Sequence, residues 1–243
     1  MFTTYSFLFI AGLIAWFMST VVAGGAASLL LPIISHSLGP TYVAPVITVA
    51  SLAVNPTRVF LFRRFINWPI LRRMLLGSTI GVILGAWCFK SIPAHLLQVL
   101  TGLFLISTPL HPILAQKKYF PSLTLNGLFI ISVFVGSFST VIGATGPVYN
   151  PFLFQIGLNK ESLIATKSLA SLWLQIIKLI AYSAIGLSLG PIVWYVLFLG
   201  AGGMIGVFFA NRILNKISSE KFKQIVYLYM PISGIIMVYQ ALR

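Results

Sequence analysis

The sequence contains no aspartate, only two glutamates and a single cysteine, and these shortages exclude several functions. The lone Cys88 rules out an intramolecular disulfide, an iron–sulfur cluster and a cysteine-rich metal site. His36, His95 and His111 share neither metal-ligand spacing nor a helical face. We therefore expect no metal, haem or other cofactor. The near-absence of carboxylates also leaves little material for a carboxylate proton or sodium relay.

Charged residues of either sign are scarce, at 7% of the chain, against about 25% in a soluble domain. None occurs from Met1 to Thr57 or from Tyr119 to Asn159. At about 1.5 Å per helical residue, the first run could cross a hydrocarbon core of about 30 Å roughly three times, and the second run roughly twice. The apolar stretches lack the two-residue alternation of barrel strands. The composition therefore predicts an all-α, polytopic membrane protein whose surroundings are a lipid bilayer.

Eight apolar segments are long enough to span a membrane, at residues 4–22, 41–62, 73–90, 94–114, 122–142, 161–183, 189–211 and 222–241. Two shorter segments, 24–38 and 144–158, are interrupted by glycine and proline. We predict about eight long transmembrane helices plus two short broken or re-entrant segments. The first segment is expected to be retained, because no basic region of a signal peptide precedes it.

The two halves of the sequence match one another after a shift of about 120 residues. The matches are Pro32 with Pro151, Ala50-Ser51-Leu52 with Ala170-Ser171-Leu172, and Ile80-Gly81-Val82 with Ile205-Gly206-Val207. Matches in three successive segments indicate a tandem duplication. We predict a first transmembrane repeat over residues 1–118 and a second over residues 119–243.

Basic residues give the chain a formal net charge of +14 and indicate how the repeats are oriented. They cluster in different connections of the two halves, at Arg63, Arg64, Arg72 and Arg73 in the first and at Arg212, Lys216, Lys221 and Lys223 in the second. If basic loops face the cytoplasm, the two repeats are inverted. Because most basic residues lie in short connections between apolar segments, we expect no nucleic-acid partner.

The two interrupted segments occupy corresponding places in the halves and read AGGAASLLLPI, from Ala23, and IGATGPVYNPF, from Ile142. In inverted-repeat transporters, such interruptions present free backbone N–H groups and helix ends to an ion. We therefore place substrate-binding residues there: Gly24, Gly25, Ser28, Gly143, Thr145 and Gly146. The alternative is that these glycines only let helices pack closely.

A helix with a polar stripe follows each interrupted segment. The stripes are Thr48, Ser51, Asn55 and Arg58 in the first half, and Ser168, Ser171, Gln175 and Lys178, preceded by Lys167, in the second. Spacings of three and four residues put each stripe on one helical face. Hydroxyls, amides and cations can all donate hydrogen bonds, so two facing stripes would form an anion-binding site. The alternative for Arg58 and Lys178 is snorkelling to a membrane surface.

The stretch from Gly136 to Ser171 reads GSFSTVIGATGPVYNPFLFQIGLNKESLIATKSLAS. It resembles the second-half glycine motif and the following Ala-Thr segment of the sulfite exporter TauE/SafE family, also called the toluene-sulfonate uptake permeases. The resemblance covers essentially the whole chain, although AGGAAS in the first half departs from the family's fuller glycine run. It implies transport of sulfite, sulfonates and related sulfur anions across the bacterial inner membrane.

The sequence thus predicts a permease, not an enzyme, that moves a small anion by alternating access. The resemblance implies that this anion is sulfite, a sulfonate or another organosulfur anion. One alternative is a non-transporting integral membrane subunit of a larger complex. Another is a quinone- or haem-dependent membrane enzyme, which would need paired histidines or acidic bases that the sequence lacks. The expected partners are the anionic substrate and the bilayer, and a homo-oligomer is left open.

Overall fold

The computed structural model describes residues 2–21, 26–107, 124–143, 149, 152–153, 156–187, 190–213, 231–232 and 234–242. Eight α-helices are bounded within these residues: α1 (Phe2–Val21), α2 (Ala26–Leu38), α3 (Pro40–Phe62), α4 (Trp68–Ser91), α5 (Ala94–Ser107), α6 (Leu125–Ile142), α7 (Lys160–Ala184) and α8 (Val193–Ile213). Residues 231–232 and 234–241 are also helical, and no strand occurs in the described ranges. The all-α prediction is confirmed.

Six of the described helical segments are long and apolar enough to cross a membrane: Thr4–Val21, Pro40–Phe65, Trp68–Ser91, Leu125–Ile142, Glu161–Ala184 and Val193–Arg212. The chain is therefore a multi-pass membrane protein. Helix α5 has 14 described residues, and the predicted segment 222–241 is described only from residue 231. The count of eight long helices therefore stays a prediction.

Local capping explains where α4 begins. We expected a span from residue 73, but the helix begins at Trp68. The Asn67 side chain accepts a hydrogen bond from the backbone N–H of Ile70, which satisfies one of the free donors of the first turn. Pro69 lies in that turn, where its missing N–H costs nothing.

The two short segments differ in how much of each is described. In the first, α2 runs continuously from Ala26 to Leu38 through Pro32, so the proline does not interrupt the helix as expected. Membrane helices tolerate such prolines because neighbouring groups satisfy the freed carbonyl. In the second, α6 ends at Ile142 with Gly143 as its cap, and only residues 149, 152–153 and 156–158 of the predicted segment are described.

Small residues bring two helix pairs into close contact, α1 with α8 and α4 with α6. A Cβ atom added at Gly81 of α4 would overlap the carbonyl oxygen of Val133 on α6, and one added at Gly206 of α8 would overlap that of Leu13 on α1. Close backbone approach of this kind stabilises helix pairs in lipid. In each pair the first helix of one predicted repeat packs on the other repeat, as two related halves would. The repeats themselves stay a prediction.

Helices α3 and α7 pack against each other between these pairs. The Ser162 hydroxyl donates to the carbonyl oxygen of Phe65 at 2.9 Å, whereas Asn55 Nδ2 donates to Ser171 Oγ at 3.0 Å. The contact made by Ser162, near the start of α7, is with a residue just after the end of α3. The contact made by Ser171, further along α7, is with a residue earlier in α3. The two helices are therefore antiparallel. This packing places the two predicted polar stripes face to face.

Candidate functional site

A cavity of about 110 Å³ lies where the two polar stripes meet. Seven of the residues predicted from the sequence line it: Ser51, Asn55, Arg58, Gly143, Lys167, Ser171 and Gln175. A cavity of this volume has room for several water molecules. This is the size range of a small oxyanion.

The remaining predicted residues lie elsewhere or are not described. Lys178 is buried beyond the cavity lining. Gly24, Gly25, Thr145 and Gly146 lie outside the described residues, and so does the side chain of Ser28.

Arg58 enters the cavity from α3 and is held in place by α1. Its Nη2 donates to Thr20 Oγ1 at 2.9 Å and to the carbonyl oxygen of Trp16 at 3.2 Å. Its Nε also donates to Thr20 Oγ1, at 3.1 Å. These contacts fix one side of the guanidinium while the group still lines the cavity.

The cavity carries an excess of positive charge. Arg58 and Lys167 both line it, and their like charges repel each other. In the described part of the chain Glu161 is the sole acidic residue, and it lies in the first turn of α7 rather than in the lining. Two cations and no acidic side chain in the described lining make the cavity electropositive, and this favours an anion.

The centre of the cavity is organised by a hydrogen bond between the two stripes. Asn55 is 3% exposed, and its amide donates to Ser171 Oγ at 3.0 Å. Because this bond uses a lone pair of the Ser171 oxygen, the hydroxyl keeps its own hydrogen to donate. The bond thus aligns α3 with α7 and leaves a donor for a bound anion.

Lys178 is completely buried in this conformation. Its Nζ donates to the carbonyl oxygen of Ser139 on α6 at 2.8 Å and lies 5.9 Å from the centre of the Tyr182 ring. Arg58 contacts α1 in a corresponding way, through a backbone carbonyl and a hydroxyl. The stripe cation of each half is therefore held by the first long helix of the same half.

Gly143 has a backbone role at the edge of the cavity. It ends α6 with φ 92°, in the left-handed region that favours glycine, and its N–H donates to the carbonyl oxygen of Ser139 at 2.9 Å. A Cβ atom here would lie 2.9 Å from Cα of Ala44 on α3. Gly143, which the sequence predicted to be non-helical, thus also allows α6 and α3 to approach closely.

Comparison with protein families identifies the family of this chain. The family model described as Sulfite exporter TauE/SafE matches residues 8–237. The chain belongs to the TauE/SafE family. Comparisons with curated proteins and with solved structures gave no match. The family assignment confirms the resemblance found in the sequence and makes this chain a membrane transport protein of the sulfite exporter class.

Five hydroxyl-bearing residues that line the cavity of this TauE/SafE protein were predicted neither as site residues nor as part of the stripes: Ser19, Thr20, Ser78, Ser139 and Tyr149. A signal for three of them exists in the sequence, because the shift of 120 residues places Ser19-Thr20 on Ser139-Thr140. Ser78 offers no comparable signal, since its position depends on the packing of α4 against α6.

Proposed function

We propose that this TauE/SafE protein is a secondary transporter of a small sulfur oxyanion, with sulfite as the first candidate, in the bacterial inner membrane. One observation carries the proposal. Arg58 and Lys167 line the same cavity, together with hydroxyl groups, and no acidic side chain belongs to its described lining. The family supports the sulfur class of the anion, and the cavity supports its negative charge and small size.

Electrostatics favour an anion in this cavity. Two unit charges about 4 Å apart interact by about 4 kcal/mol at an effective dielectric constant of about 20. A bound anion near both Arg58 and Lys167 would gain such attraction twice and would offset their mutual repulsion. This gain competes with the cost of removing the anion from water, so binding can be selective and reversible.

The cavity volume favours the smallest sulfur anions. Sites for drug-sized ligands usually enclose about 300–1,000 Å³, whereas this cavity has about 110 Å³. Sulfite and one-carbon sulfonates match this volume better than an aromatic sulfonate does. We therefore place large sulfonates last among the candidate substrates.

The positions of the two stripe cations support alternating access. Arg58 lies near the end of α3 that continues into Arg63 and Arg64, the end assigned to the cytoplasm by its positive charge. Lys178 lies on α7 beyond the other end of the cavity and is covered. We infer a second state in which Lys178 contacts the anion and Arg58 is covered, reached when the pairs α1/α8 and α4/α6 move around α3 and α7.

Sulfite uptake into proteoliposomes tests this function. We expect saturable sulfite flux that exceeds the flux of chloride and acetate, measured with a pH gradient imposed in either direction. Empty liposomes and the double variant Arg58→Met/Lys167→Met are the controls, and both should show only background leak. Sulfite flux no greater than that of empty liposomes would refute the proposal.

A further inference from the structure

Gln175 is a buried polar residue whose carbonyl group has no hydrogen-bond partner among the described residues. Its side chain is 5% exposed on α7 and lines the cavity, and the atom without a partner is Oε1. More than about nine in ten buried polar groups in proteins are hydrogen-bonded. The exception belongs to a residue that lines the cavity, so a molecule held there is a natural source of the missing donor.

Besides hydroxyl groups, which can donate or accept, the cavity holds strong hydrogen-bond donors. Arg58 and Lys167 are cations, and the Ser171 hydroxyl keeps its hydrogen because its oxygen already accepts from Asn55. These groups suit the negative oxygens of an anion. Gln175 Oε1 can only accept, so the lone pairs of a bare oxyanion would repel it and leave it unpaired.

We propose that the transported substrate is a small monoanion with its own O–H or N–H donor, and that Gln175 Oε1 accepts this hydrogen bond. Hydrogensulfite, the protonated form of sulfite, has this chemistry. Sulfate and the simple alkylsulfonates lack it. The inference rests on the proposed function, since it assumes that the transported anion occupies this cavity, and it makes Gln175 a specificity-determining residue.

Two probes of the same size and charge isolate the donor. Sulfamate and methanesulfonate are both monoanions with an SO₃ group, and they differ in carrying NH₂ or CH₃ on sulfur. Both would be tested as competitors of sulfite uptake in proteoliposomes. Because leaving a buried acceptor unpaired weakens binding by roughly 5- to 150-fold, we expect sulfamate to inhibit at least about fivefold more strongly than methanesulfonate.

The variant Gln175→Met removes the acceptor and keeps a side chain of similar length. It should bring the ratio of the two inhibition constants to about one. The matched control is Gln98→Met on α5, a glutamine outside the cavity lining, which should keep the preference of the original protein. Thermal unfolding in detergent would verify that both variants fold, and Gln175→Leu provides a second variant without an acceptor.

The outcomes separate the two proposals. Equal inhibition by the probes, including none by either, with sulfite flux intact would overturn the role of Gln175 and leave the transporter proposal standing. A preference for methanesulfonate would also overturn it, because the side-chain amide would then be directing its NH₂ group into the cavity. Absence of sulfite flux altogether would remove both proposals.

Discussion

Replacement of Arg58 by methionine removes one of the two cavity cations and keeps most of the side-chain volume. The described structure indicates that the fold tolerates this change. Thr20 Oγ1 donates to the carbonyl oxygen of Trp16 at 2.8 Å without help from the arginine, so neither group loses its only partner. Removing a half-buried charge that has no acidic partner in the described lining also relieves part of a desolvation cost. We therefore expect an unchanged or higher unfolding temperature.

Anion affinity should fall in the same variant. A hydrogen bond to a charged group contributes about 1.5–3 kcal/mol. The lower end applies here, because loss of Arg58 also removes its repulsion with Lys167 and leaves the second cation better able to bind the anion. A loss of about 1.5 kcal/mol corresponds to an increase in KM of roughly tenfold.

The assay is the initial rate of sulfite uptake into proteoliposomes as a function of sulfite concentration. Arg58→Lys should lie between the original protein and Arg58→Met, because it keeps the charge but loses the forked contact with Thr20 and Trp16. Arg63→Met is the matched control, since Arg63 is exposed in the connection after α3 and only packs over the Phe60 ring. An unchanged KM in a well-folded Arg58→Met protein would refute the assignment of the binding site.

Two further substitutions separate structural from functional roles. Lys178→Met replaces a fully buried ammonium group, so we expect an equal or higher unfolding temperature. Sulfite flux should be at least tenfold slower, because the second state would lose its cation. Lys90→Met, at an exposed position, is the control. A lower unfolding temperature with normal flux would contradict a role for Lys178 in the second state. Gly143→Ala should lower the unfolding temperature more than Gly157→Ala. Both glycines have positive φ, where an alanine costs about 1–2 kcal/mol. Only at Gly143 would the added Cβ atom also meet a neighbour, Cα of Ala44 at 2.9 Å. Equal losses in detergent would show that the contact has no energetic role.

Much of the fold follows from composition and periodicity. Long uncharged runs require helices in a bilayer, because unpaired backbone groups cannot remain in hydrocarbon. The limits of α3 and α7 agree with the predicted segments 41–62 and 161–183 to within a residue or two. The continuity of α2 through Pro32 was not predicted, because the cost of a proline depends on which neighbouring groups satisfy the carbonyl that it leaves free.

Some of the residues of the candidate site could also be predicted from the sequence. Spacings of three and four residues put Ser51, Asn55 and Arg58 on one face of a helix, and these residues do line one cavity. The matching spacing predicted equivalent roles for Arg58 and Lys178. In the structure Arg58 lines the cavity, whereas Lys178 is buried and donates to the carbonyl oxygen of Ser139. A difference of this kind depends on how far the helices are separated at each end, which helical periodicity does not encode.

Residue type and local spacing are enough to specify the membrane environment, the helical architecture and the polar faces of α3 and α7. The folded protein alone shows which faces meet, through the bond from Asn55 to Ser171. It also shows that the buried acceptor Gln175 Oε1, on a residue that lines the cavity, has no partner among the described residues. The physical reason is that lipid and helix surfaces are similarly apolar. Hydrophobicity therefore cannot select a helix's neighbours, and close packing of small residues together with hydrogen bonds between helices must do so.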